Sequence, residues 1–394
     1  MEECQTTPIK NTGLRNVVIA STRVSDVIGD EGKLIYRGYR IEDLAENASF
    51  EEVTHLLLKE RLPGKADLAD FSGALARERA IPDSVIAALK TRPPEALPMD
   101  VLQAGAAMLG HHDPDVTADA RDAAERISIR LVARLATLLA AWERIRNGRT
   151  PVDPDPSLGH AENFLYMLTG ERPSAEVARF MDVCLVLHAE HSFNASTFAA
   201  REVASTRAHM YAAVVAAIGS LSGALHGGAN TRVMRMLKEI GEVGRIDDYI
   251  AKQLDGGGKI MGLGHAVYKT DDPRAIILAP MSRRMGELAG DTRWYEISRE
   301  LEQKAKAAFE ARKNLKIYAN VDFYSASLYY SMGIPMDMFT PIFAVSRVSG
   351  WAAHVLEEQF ADAAPKPMLY RPESEYVGDY CGPEECRWEP LDNR

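Results

Sequence analysis

At 394 residues the chain is too long for one small core and suits two domains, or one large domain with a smaller one attached. Its hydrophobic fraction of 46% and charged fraction of 26% are those of an ordinary folded, soluble protein and exclude a disordered chain. Lysine and arginine number 46 against 56 acidic residues, a formal charge of -10, which excludes a general nucleic-acid binder, so an anionic ligand would need a local basic pocket.

The first residues, MEECQTTPIK, carry two early acids and no apolar core, so neither a secretory signal nor an Arg-rich transit peptide is expected. Residues 14–40 alternate short β-branched runs (Val17-Val18-Ile19, Leu34-Ile35-Tyr36) with Gly29, Gly32 and Gly38, which predicts a small β-meander or extended arm. Helical spacing takes over at 41–46 and 49–60, where Ser49 followed by Glu52 reads as a capping box. Further helices are predicted over 67–79, 82–92 and 99–109, then a polar connector over 111–122. The stretch 127–147 is apolar around most of its circumference, which places it in the core. Three prolines and two aspartates make 149–158 a surface loop.

One long helix is predicted over 175–201. The stretch 208–231 has no charged residue but breaks at Gly223 and again at Gly227-Gly228, so it reads as a buried helix ending in a loop and not as a membrane span. Helices follow over 231–240, 276–288, 295–313, 325–332 and 341–360, with 314–323 extended. The tail from 361 has five prolines and little periodicity. Cys4, Cys184, Cys381 and Cys386 are scattered except for the last pair, so neither a disulfide framework nor a zinc ribbon is indicated, and a reducing cytoplasm fits. The chain is predicted to be mainly α-helical, with a short β segment near its N-terminus.

Residues 256–274, GGGKIMGLGHAVYKTDDPR, combine five glycines with His265, Lys269, Asp272 and Arg274. So many glycines shape backbone around something small, and these polar groups suit an anionic organic substrate. The dinucleotide and Walker patterns fail on spacing: Gly262 and Gly264 lack a third small residue, and Lys259 is followed by Ile260 where Ser or Thr is needed. His188 and His191 lie three apart, not the four of a helical zinc pair, and no third ligand is evident, so no metal is expected. His226 directly precedes two glycines, a setting that favours a neutral ring donating a hydrogen bond. Taken singly, His191 would serve as a core histidine, His226 as a turn histidine, Asp322 as a helix N-cap and Arg347 as an ion-pair partner. Taken together, three histidines and an aspartate supply acid, base and electrophile. Arg274, Arg347 and Arg371 would clamp carboxylates, and Lys269, Lys313 and Lys316 remain for phosphates. That is equipment for carbanion chemistry between a dicarboxylate and a phosphate-bearing carrier.

These motifs resemble the citrate synthase family along nearly the full length of the chain: LHAEHSFNASTFAAR (187–201), HGGAN (226–230), GLGHAVYKTDDPRA (262–275), NVDFYSA (320–326), SRVSGWAAH (346–354) and LYRPESEYVG (369–378). The resemblance implies an almost all-α fold, with a large helical domain from residues 1–226 and 328–394. A small domain, 227–327, would bear the coenzyme A loop, His265 and Asp322, and the active site would lie in the cleft between them. It implies condensation of acetyl-CoA with oxaloacetate, then hydrolysis of citryl-CoA to citrate and CoA. No cofactor would be held permanently, since the CoA thioester is a co-substrate. By position, Asp322 resembles the base that deprotonates the acetyl methyl, His226 the neutral donor to the enolate, and His265 the group that polarises the ketone. His191, Asn194, Arg274, Arg347 and Arg371 match the oxaloacetate ligands, with Arg371 given by the partner of a homodimer. Lys259, Ile260, Met261, Gly262, Leu263 and Gly264 match the loop that receives the adenine of coenzyme A. Ala326 stands where many citrate synthases have glycine and resembles 2-methylcitrate synthases, which take propionyl-CoA; a methyl group is worth only about 1–3 kcal/mol of discrimination, so dual specificity is the alternative. Lys269 resembles the short prokaryotic enzymes, and the extra N-terminal β-domain of the larger NADH-regulated ones is not expected.

Overall fold

The computed structural model describes residues 13–14, 17–265, 267–377 and 388–393. Cys4, Cys381, Cys386, Gly378 and the first twelve residues lie outside them. The meander expected near the N-terminus is a three-stranded antiparallel sheet in the order β1 (Ser25–Ile28), β2 (Lys33–Tyr36), β3 (Tyr39–Arg40). Ser25 pairs with Tyr36 and Ile28 with Lys33, so the tip of the first hairpin is 29–32. Sixteen α-helices follow among the described residues. They begin with α1 (Ile41–Asn47), α2 (Phe50–Lys59), α3 (Lys65–Arg77), α4 (Asp83–Lys90), α5 (Pro98–Gly110) and α6 (Arg121–Arg146). Next come α7 (His160–Thr169), α8 (Ala175–His188), α9 (Ala195–Ser205), α10 (Met210–Ser222), α11 (Ala229–Ile240) and α12 (Ile246–Asp255). The series ends with α13 (Pro273–Ala289), α14 (Arg293–Lys313), α15 (Val321–Ser331) and α16 (Phe339–Phe360).

The expected capping box opens α2: Ser49 accepts from the Glu52 amide while the Glu52 carboxylate accepts from the Ser49 amide, an arrangement worth ~1 kcal/mol. Helix α6 is buried along most of its length, as its all-round apolar pattern requires, and it begins six residues before the predicted start. Helix α16 is the axis of the core. It packs against α2, α5, α6, α8, α9 and α10, and its small residues allow that crowding on every side. Helices α11 to α15 pack mainly on one another, and meet the rest chiefly where α13 touches α1 and α8 and where α11 touches α16.

Two ten-residue helices, α7 and α12, were not predicted from the sequence. The single helix predicted over 175–201 is a correction: it is two helices, broken at 189–194. In a continuous helix the His188 carbonyl would accept from the Ser192 amide. Instead Arg347 Nε donates to that carbonyl at 2.6 Å, and the Ser192 amide donates to Ser25 Oγ at 2.9 Å. Ser192 takes a left-handed φ of 53°, and Asn194 caps α9 by accepting from the Thr197 amide. Asp322 as an N-cap is the second correction. Asn320 is the cap of α15, accepting from the Asp322 amide at 3.0 Å, which leaves the Asp322 carboxylate free for other work.

Candidate active site

The ends of several elements converge on one cleft of about 820 Å³, lined by His191, Asn194, His226, Gly264, His265, Arg274, Asp322 and Arg347. All but one come from places where helical hydrogen bonding begins or stops: the turn between α8 and α9, the loop before α11, the loop before α13, and the first turns of α13 and α15. Arg347 alone comes from the middle of a helix, the buried α16. His188 and His191 do not share a helical face, because α8 ends at His188. The His188 ring donates through Nδ1 to the Cys184 carbonyl, and His191 lies beyond the break.

The tautomers of two histidines follow from their partners. The Ser196 amide donates to His226 Nε2 at 3.1 Å, so Nε2 carries no proton and Nδ1–H is the free donor. Ser196 Oγ, 2.8 Å from the same nitrogen, is braced by the Trp351 indole N–H and by Asn194 Oδ1. The Val267 and Tyr268 amides both donate to His265 Nδ1, at 3.0 and 3.2 Å, so His265 presents Nε2–H. Burial, helped by the Arg347 charge, pushes His226 down to about 4; burial and Arg274 do the same to His265 against the opposing effect of Asp272. Both rings are therefore neutral donors near pH 7. Burial also holds His191 well below its ordinary value, and its Nε2 is 3.2 Å from the Tyr268 hydroxyl.

Asp322 has the opposite shift. Burial raises it to about 6 although Arg274 pulls it down, and its carboxylate has no hydrogen-bond donor among the described residues. A carboxylate poised there is a far stronger base than one in water. The two arginines are held differently. Arg274 donates through Nε and Nη2 to both oxygens of Asp272, at 3.0 and 2.8 Å, and Asp272 also accepts from the Val321 amide, tying α13 to α15 beside Asp322. Arg347 is 1% exposed and makes no ion pair among the described residues; its Nη2 has no partner, and burial lowers its pKa to about 10. A buried cation with an unused donor facing a cleft is a seat for an anion.

The loop 259–264 is fixed on one side only. The Gly264 amide donates to the Tyr318 carbonyl at 2.7 Å, the Asn320 amide to the Gly262 carbonyl at 2.9 Å, and Leu263 bridges Ala319. Ile260 is buried, Met261 and Leu263 are half-buried, and Lys259 is exposed. Gly262 needs both its positive φ of 77° and its missing side chain, since a Cβ would lie 2.7 Å from Val233. Lys313 and Lys316 are exposed, and Lys269 is exposed and paired with Asp30 at 2.8 Å. Arg371 is exposed and does not line this chain's own cleft. The sequence reading missed Ser196, Tyr268 and Arg232. Arg232 lines the cleft, donates to the Gly227 carbonyl at 3.3 Å and keeps Nε buried without a partner. Its only signal is its place in the first turn after the glycine pair.

Residues 13–373 match the family model described as citrate synthase, C-terminal domain. The chain is 45% identical over 383 residues, 97% of its length and 98% of the relative's, to citrate synthase 2 of Bacillus subtilis. It is 39% identical over 373 residues, 95% and 91% of the two chains, to a 2-methylcitrate synthase of Mycobacterium tuberculosis. Among solved structures it matches the ternary complex of carboxymethyl coenzyme A and oxaloacetate with citrate synthase from Thermoplasma acidophilum, at TM-score 0.88 and 30% identity over 98% of this chain and 100% of that one.

Proposed function

The chain belongs to the citrate synthase family, and from that premise we propose how its cleft condenses acetyl-CoA with oxaloacetate and hydrolyses citryl-CoA to citrate and CoA. The observation that carries the reading is Arg347, a buried guanidinium with an unused donor and no carboxylate of its own. Oxaloacetate supplies two carboxylates. One neutralises Arg347 and another reaches the edge of Arg274 that Asp272 leaves open, with His191 and Asn194 beside them.

With oxaloacetate seated, His265 Nε2–H donates to its ketone oxygen. Asp322 removes a proton from the acetyl methyl while His226 Nδ1–H donates to the thioester oxygen, so the enolate charge is met as it develops. The methyl carbon then bonds to the ketone carbon, whose oxygen takes a proton to become the citryl hydroxyl. Water cleaves the C–S bond, releasing a carboxylate and the CoA thiol. CoA is thus a co-substrate, and we place its adenine against 259–264 and its phosphates near Lys269, Lys313 and Lys316, which the exposure of these lysines permits.

We divide the chain into a large domain, 1–226 with 328–394, and a small one, 227–327. The mutual packing of α11 to α15 supports this division. We propose a homodimer in which Arg371 serves the partner's cleft. In support, Arg371 is outside its own cleft, and Leu14, Val18, Met368, Leu369 and Trp388 expose large apolar side chains at both ends of the chain. No helix among the described residues is long and apolar enough to cross a membrane, and we assign the enzyme to the cytoplasm.

A second reading, 2-methylcitrate synthase or dual specificity, is favoured by Ala326, which is fully buried on α15 one turn after Asp322. Thiol release from acetyl-CoA and from propionyl-CoA with oxaloacetate decides between them. A strong acetyl preference supports the first reading, parity or a propionyl preference the second, and no thiol from either sinks both.

A further inference from the structure

The β1–β2 hairpin touches both walls of the cleft. At its base, the paired residues Ser25 and Tyr36 grip the turn that carries His191. Ser25 Oγ accepts from the Ser192 amide and donates to Glu190 Oε1, both at 2.9 Å. The Tyr36 hydroxyl donates to the Glu190 carbonyl at 2.8 Å and accepts from the Glu190 amide at 3.1 Å. Glu190 is itself fully buried, and its Oε1 also meets His354 Nε2 at 2.9 Å.

At its tip, four residues on, the hairpin meets the loop that carries His265. The Lys269 amide donates to the Gly29 carbonyl at 3.0 Å, the one long-range backbone hydrogen bond between α11–α15 with their loops and the remainder of the molecule among the described residues. The fit is close: a Cβ at Gly29 would run into the Val267 carbonyl, and one at Gly32 would come within 2.8 Å of Thr270 and 2.9 Å of the Asp271 carbonyl. Val267 and Tyr268, whose amides fix the His265 tautomer, are the residues just before the bond. Asp26 and Val27, between base and tip, line the cleft.

We propose that this hairpin is a rigid spacer that sets the separation of the His191 turn from the His265 loop, with Ser25, Tyr36 and Gly29 as positioning residues for oxaloacetate. The role rests on the proposed function above. A two-stranded ribbon hydrogen-bonded along its length resists changes in length far better than a single loop, so the two walls are held at a fixed distance while the tip bond is made. The tip bond joins half-buried Gly29 to exposed Lys269 by backbone alone, so it can break and re-form with the loop. The hairpin therefore registers the loop in the condensing position and releases it for exchange of ligands.

The test compares Gly29→Ala, Ser25→Ala and Asp30→Asn with the wild type. Gly29→Ala displaces the His265 loop by an added methyl, and a shift near 1 Å costs up to ~100-fold in rate. We expect its kcat to fall by at least about tenfold with hydrogen exchange in α16 unchanged, a split that general loosening of the fold would not give. Hydrogen exchange at the Lys269 amide should rise in the same variant. Ser25→Ala, which adds no volume, should raise the oxaloacetate KM about tenfold, the loss of one or two buried hydrogen bonds. Asp30→Asn weakens only an exposed ion pair and should stay within about twofold of wild type. If Gly29→Ala and Ser25→Ala both stay within that margin, the proposal is overturned; should Gly29→Ala not fold, Ser25→Ala decides alone. If the wild type releases no thiol, the functional reading fails by itself, and unchanged Lys269 exchange in Gly29→Ala overturns the hairpin role separately.

Discussion

The two walls of the cleft are built differently. The wall formed by 188–194 and α16 is dense: His188, Glu190 and Arg347 are almost fully buried, Trp351 braces Ser196, and a Cβ at Gly350 would collide with Glu190. The wall formed by 256–271 is glycine-rich and partly exposed, and is held by a few backbone hydrogen bonds to 318–320 and to Gly29. The proposed oxaloacetate contacts are concentrated on the dense wall and at the base of the loose one, and the proposed coenzyme A contacts fall on the loose one. A small doubly charged substrate needs fixed cations in a dry place, whereas a long carrier that enters and leaves each turnover needs a wall that yields.

The largest expected effect comes from Asp322, which stands between the two walls. Asp322→Asn keeps the shape and removes the base, so kcat should fall by about 10²–10⁴-fold in steady-state thiol release, with oxaloacetate binding retained in calorimetry. A fall of less than about tenfold would remove Asp322 from the mechanism.

Arg347→Leu separates binding from stability on the dense wall. Oxaloacetate affinity should drop by about 10- to 100-fold, the value of a charge-assisted hydrogen bond, while the ligand-free melting temperature changes little, because removal of a buried charge with no ion pair offsets the loss of its bond to the His188 carbonyl. Lower stability together with unchanged affinity would show that Arg347 is a structural residue.

The pH dependence gives two signs for one group. Burial raises Asp322 to about 6, so the basic form is lost below that and kcat should fall as pH drops through about 6, by close to tenfold per pH unit. His226 and His265, at about 4, stay neutral throughout that range and should leave no mark on it. For stability the sign is reversed. Between the ordinary carboxylate value and about 6 the folded state binds more protons than the unfolded one, so the Asp322 contribution worsens as pH rises through that window, by up to ~2–3 kcal/mol. Asp322→Asn should therefore gain stability over wild type at pH 8 and lose most of that advantage at pH 4. Parallel melting curves at the two pH values would contradict it.

The smallest effect is expected on the loose wall. Lys259→Ala removes an exposed charge, so the melting temperature should not move while the acyl-CoA KM rises severalfold, reflecting a screened surface contact worth ~0.5–1 kcal/mol. An unchanged acyl-CoA KM would take Lys259 off the carrier's path.

Residue type and spacing in the sequence determined a good deal here. Helical periodicity marked most of the long helices, the Ser49–Glu52 box marked the start of α2, and alternation with glycines marked the meander. These are local signals, each settled by residues within a turn or two of one another. The chemistry-bearing residues were legible as types in motifs, and the cleft gathers His191, Asn194, His226, His265, Arg274, Asp322 and Arg347. Tertiary structure alone decided what each of them is. Nothing near Ser192 says that the helix must break there; Arg347 and Ser25, from opposite ends of the chain, take the hydrogen bonds that would have continued it. Nothing near His226 gives its tautomer, which the Ser196 amide sets from thirty residues away. The base strength of Asp322 comes from burial. Periodicity reports which face of an element is apolar, whereas protonation, tautomer and charge depend on which distant groups the fold brings alongside, and that information exists only once the chain has closed on itself.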